Sequence, residues 1–137
     1  MKRVVKASED VNHISGVHIV DSKSQFGGYV KDRTWSGTKS ELLSLLAAKS
    51  GRYVANSEDR FIIILAHSNI SHSMIDEVTS TDNFYEAEEW AEDWIDSNSH
   101  KPAREFVMRN FYYASVVDTL RGREIFYDRQ EGKVKEW

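Results

Sequence analysis

Cysteine is absent from the 137 residues, which removes disulfides, thiolate metal sites and a cysteine nucleophile together and leaves packing as the source of stability. A reducing compartment suits such a chain, and the expectation is a cytoplasmic protein. Proline is nearly absent too. With a single Pro and no Ser/Gly-rich linker, nothing marks a domain boundary, and there is neither an internal repeat nor a low-complexity tract. The reading is one α+β domain over residues 1–137, a length at which roughly two thirds of the unfolded surface is buried. Long apolar runs are also missing. The longest, Phe61 to Ala66, is far too short for a bilayer, and the basic start Met1 to Lys6 lacks the apolar stretch of a secretion signal behind it. No membrane association is expected.

Locally, the scarcest property is positive charge. Between Phe61 and His100 there is no Lys or Arg, while Asp76, Glu77, Asp82, Glu86, Glu88, Glu89, Glu92, Asp93 and Asp96 all fall there. The net charge of -4 conceals this, because both flanks lean basic.

What is present reads as a small mixed or antiparallel sheet of hairpins packed with two or three helices. Gly16 to Asp21 and Tyr29 to Trp35 form an N-terminal hairpin around Phe26, Gly27 and Gly28. Thr38 and Glu41 make a capping box that opens a helix buried along Leu42, Leu45 and Leu46, with Gly51 at its C-terminal cap. The segments 52–55 and 60–67 read as paired strands. Ile62, Ile63, Ile64 and Leu65 mark the second as central and covered on both sides. A short helical turn is expected after Ser73. Asn83 with Glu86 then starts a helix from Phe84 to Ile95. From Pro102 to Gly122 the apolar spacing favours helix, although Tyr112, Tyr113, Val116 and Val117 also suit a strand. Arg123 to Asp128 and Lys133 to Trp137 close the chain as a hairpin around Glu131 and Gly132.

The helix from Phe84 carries the functional signal. At about 100° per residue, Phe84, Ala87, Trp90, Ala91, Trp94 and Ile95 share one side, and Glu86, Glu88, Glu89, Glu92, Asp93 and Asp96 share the other. Tyr85 falls among the acids, where its ring meets solvent. No Lys or Arg stands at (i, i+4) to relieve the repulsion, and the later acids sit at the unfavourable end of the macrodipole. A solvated face would account for the pattern, at a small cost in stability. The sharper reading is a partner-binding surface made of Tyr85, Glu86, Glu88, Glu89, Glu92, Asp93 and Asp96 with Asp82 beside it. Such a surface presents carboxylates to the cations that normally grip phosphates, around an aromatic anchor.

Other constellations carry less. His67, His72 and Asp76 offer two imidazoles and a carboxylate to a metal, but without the specificity of an HExxH helix. Ser36 to Lys39 lacks the upstream Gly of a phosphate loop, and no nucleophile elbow is present, so neither a catalytic residue nor a cofactor is implied. The C-terminal mixture of Arg121, Arg123, Phe126, Tyr127, Arg129, Lys133, Lys135 and Trp137 would suit stacking and phosphate contacts with single-stranded nucleic acid, but Glu124, Asp128, Glu131 and Glu136 are interspersed and favour a mixed hairpin surface. In size, acidity and its carboxylate-rich helix the chain resembles, in general type, phage-encoded inhibitors of bacterial defence such as anti-CRISPR and antirestriction proteins. The resemblance implies a non-enzymatic inhibitor whose partner is the basic surface of a nuclease or CRISPR effector.

Overall fold

The computed structural model describes residues 13–19, 34–68, 73–99, 111–128 and 133–136. It is an α+β fold whose described elements run β1 (His13–His18), β2 (Thr34–Thr38), α1 (Lys39–Lys49), β3 (Ser50–Tyr53), β4 (Phe61–Ser68), β5 (Ser73–Thr81), α2 (Phe84–Ser99), β6 (Phe111–Asp118), β7 (Arg123–Asp128) and β8 (Lys133–Glu136). β1 and β2 form a two-stranded sheet, and the remaining strands form a six-stranded sheet in the order β3-β5-β4-β6-β7-β8. β3 runs parallel to β5, and every other pair is antiparallel.

β4 organises the molecule because both of its faces are apolar. Ile62, Ile64 and Ala66 point into one core with Leu42, Leu43 and Leu46 of α1, Ile14 and Val17 of β1, and Tyr113 and Phe126. Phe61, Ile63 and Leu65 point into a second core closed by Ala87 and Ala91 of α2, with Phe84, Trp90, Trp94 and Ile95 around them. Each buried Ile or Leu contributes roughly 1.5–3 kcal/mol, so an unbroken run of them requires cover on both sides.

Local chemistry fixes the layers. The Thr38–Glu41 capping box is formed in both directions. Leu43 takes the buried place expected of Leu45, and Ser50, not Gly51, caps the C-terminus before the chain goes directly into β3. In β1, a bulge between Ile14 and Val17, with Gly16 at φ 76°, lets two residues three apart enter the same core.

Several expectations are corrected. Segments 52–55 and 60–67 are not partners, since β3 lies at the sheet edge and pairs with β5. The residues after Ser73 are the nine-residue strand β5, not a helical turn, because Ile75, Val78, Thr79 and Thr81 prefer the pleated, half-buried surface beside β4. Phe111 to Asp118 is strand, not helix. Its apolar continuity has the same origin as that of β4, as Tyr113 and Val117 face one core while Ala114 and Val116 face the other. The expected turns at Phe26 to Gly28 and at Glu131 and Gly132, and residues 102–110, lie outside the described residues. The first hairpin consists of His13–His18 and Thr34–Thr38, and the C-terminal one pairs β7 with β8.

Candidate interaction face on the second helix

α2 begins where its sequence says it should. Asn83 Oδ1 accepts from the Glu86 amide at 3.1 Å, and Glu86 Oε1 accepts from the Thr81 hydroxyl at 2.5 Å. The helix runs one turn past Ile95, to Ser99, with no basic residue in its last turn. Its apolar side is seated as the helical spacing predicts. Trp94 Nε1 donates to the Ala66 carbonyl at 3.1 Å, and Asn98 Nδ2 donates back to the Trp94 carbonyl at 2.7 Å.

The residues singled out for partner binding divide by what they touch. Glu86 belongs to the helix cap. Asp82 holds the preceding loop, accepting from the Arg60 amide at 2.8 Å. Glu88 lies where the helix meets β7, and the Tyr127 hydroxyl donates to it at 3.4 Å. Glu89, Glu92 and Asp93 are exposed and have no cationic partner among the described residues. Asp96, also exposed, has an interaction of its own. Tyr85 is 78% exposed, its ring edge-on to Phe84. Partial desolvation, followed by the charges of Glu88, Asp96 and Asp93, raises the Glu92 carboxyl above the ordinary glutamate range.

Beside the helix, where it leaves β5 uncovered, runs a groove of about 550 Å³ bounded by Leu65, Glu77, Trp90, Asp93 and Trp94. Close to it, a register shift leaves Asp76 as the extra residue of β5, since Leu65 pairs with Glu77 and Ala66 with Ile75. A bulge re-aims the side chain it carries, and Asp76 Oδ2 lies 2.6 Å from His67 Nδ1, under a stacking contact of His67 with Tyr112. His72, the third member of the sequence's metal constellation, lies outside the described residues. Among those described, no three His, Asp or Glu side chains are grouped to hold a metal.

Sequence reasoning missed a buried polar cluster on the other side of the sheet. Glu124, expected on a mixed hairpin surface, is fully buried; it accepts from the Ser115 hydroxyl and the His18 amide, and lies 2.7 Å from His18 Nδ1. The available signal was alternation: Glu124 and Phe126 share one face of β7. Phe126 and Tyr127 are likewise core residues at 1% and 3% exposure, which takes both rings away from any base-stacking role.

No known protein family, curated protein or solved structure matches this chain. Among the described residues no helix is long and apolar enough to cross a membrane.

Proposed function

We propose that this chain is a cytoplasmic binding protein that inhibits a nucleic-acid-handling partner, with the outer face of α2 standing in for a phosphate backbone. The observation that carries the reading is the state of Glu89, Glu92 and Asp93. They are solvent-facing carboxylates on successive turns, without a cationic partner among the described residues, and Glu92 is raised by partial burial and then by the charges of Glu88, Asp96 and Asp93. A helix tuned for stability alone would carry lysines among them. Tyr85 supplies an exposed ring on the same helix, the residue type that most often anchors an interface. A partner that normally holds DNA or RNA brings arginines and lysines spaced for phosphates. The acidic face competes for those groups, which is the action expected of an anti-CRISPR or antirestriction protein of phage origin.

The test is capture of such a partner from a bacterial lysate on immobilised protein at low and at high salt, followed by competition with DNA. A nuclease or CRISPR effector retained at low salt, released as salt rises and prevented from binding DNA is the expected result. The same capture by a Glu89→Lys/Glu92→Lys variant would refute the reading.

A further inference from the structure

We propose that the groove between α2 and β5 is the seat of an arginine side chain projected by the basic partner. The inference rests on the acidic-face reading and names the residue type inserted beside that face. The charged groups lining the groove are both carboxylates, Glu77 from β5 and Asp93 from α2. Neither has an ion-pair partner among the described residues. Arg52 is level with Glu77 on the neighbouring strand β3, but makes no ion pair with it. The same groove is lined by the indoles of Trp90 and Trp94 and by the side chain of Leu65.

This combination selects a cation with an apolar stem. Methylenes pack on the indoles and Leu65, and a planar guanidinium stacks on an aromatic face while offering an N–H edge to each of two flanking carboxylates. An ammonium gains the charge contact but neither the stacking nor the two-edged hydrogen bonding, so arginine is favoured over lysine. A volume of about 550 Å³ holds the side chain together with part of the backbone that carries it. Trp94 is held in advance by its bond to the Ala66 carbonyl and by an edge-on contact with Tyr112 at 5.7 Å, which lowers the ordering cost of binding.

The experiment follows the indole N–H resonances of the full chain during titration with Nα-acetyl-arginine methylamide at low salt, with the citrulline counterpart as a neutral control of the same shape. A saturable shift of Trp90 or Trp94 with arginine is expected, and citrulline should bind about tenfold more weakly, the difference made by charge-assisted hydrogen bonds. Glu77→Gln with Asp93→Asn should lower arginine affinity by a similar factor while the rest of the spectrum keeps its dispersion, separating loss of the site from loss of the fold. An equal response to citrulline, or undiminished arginine affinity in that variant, would overturn the proposal. Glu89→Lys with Glu92→Lys separates the groove from the outer face, since it leaves both groove carboxylates in place. Arginine binding should survive in it while partner capture falls. If arginine fails to bind wild type although the partner is still captured, the slot is wrong and the acidic face stands.

Discussion

Glu124 is the residue on which the N-terminal hairpin hangs. A carboxyl group with no access to water must have its hydrogen bonds supplied internally, and here Ser115 supplies one from β6 and His18 supplies others from β1, with the His18 ring 4.5 Å from that of Phe126. Glu124→Ala takes the shared acceptor away from the Ser115 hydroxyl and from the His18 amide and ring inside an apolar core, and is expected to cost about 3–5 kcal/mol in denaturant unfolding. Replacing the three together by apolar residues should recover much of that loss. Asp118 adds to the acid sensitivity of the fold. Burial alone would raise its carboxyl, but two hydrogen bonds from Arg60, the Arg121 and Leu120 amides and the Arg60 charge hold it below the ordinary aspartate range. Between its folded and unfolded midpoints the unfolded chain holds more protons, so stability rises with pH there. The contribution is complete above about pH 3.9, the ordinary aspartate value, and is lost as pH falls through the lower, folded one. Unfolding followed by circular dichroism from neutral pH to pH 2 should therefore give a shallower acid loss in Arg60→Gln than in wild type.

At the scale of elements, the turn between β6 and β7 joins the two sheets. Gly122 adopts φ 73° and its carbonyl accepts from the Ser15 amide of β1 at 3.1 Å. A Cβ there would collide with the His13 carbonyl oxygen. Gly122→Ala should cost at least about 1–2 kcal/mol for the left-handed backbone alone, and hydrogen exchange in β1 should rise, since the hairpin is what it displaces. Elements with local chemistry could be read directly from the sequence. The Thr38 capping box, the Asn83 start of α2, the two-sided burial of β4 and the seating of Trp90 and Trp94 all follow from spacing and side-chain type. What spacing could not give was the pairing of β3. β3 joins β5 across an intervening strand, and such a crossover leaves no mark in either segment. β6 was mistaken for helix because a strand buried on both faces loses its alternation. On α2, the acidic face and the exposure of Tyr85 were visible in the sequence. The groove was not, because Glu77 and Asp93 come to line one groove only once β5 and the helix are placed together.

Across the whole molecule, both faces of the six-stranded sheet carry an apolar core, and the exposed acids lie on the outer side of the helix that covers one of them. The α1 side packs its core around the Glu124 cluster, while α2 covers the second core and presents acids outward along a helix with no basic residue in its last turn. Screening acts on exposed charges over about 8 Å at physiological ionic strength, so partner affinity should fall steeply with salt while the fold, anchored in its cores, changes little. The central claim is that these acids are held at a small local cost because a cationic partner uses them. Its most direct test neutralises two of them without reversing charge: Glu89→Gln with Glu92→Gln, with denaturant unfolding and affinity for the captured partner measured in one low-salt buffer. The account predicts a protein as stable as wild type or more so, by up to about 0.5 kcal/mol, that binds about tenfold more weakly. Undiminished affinity in that variant would contradict it.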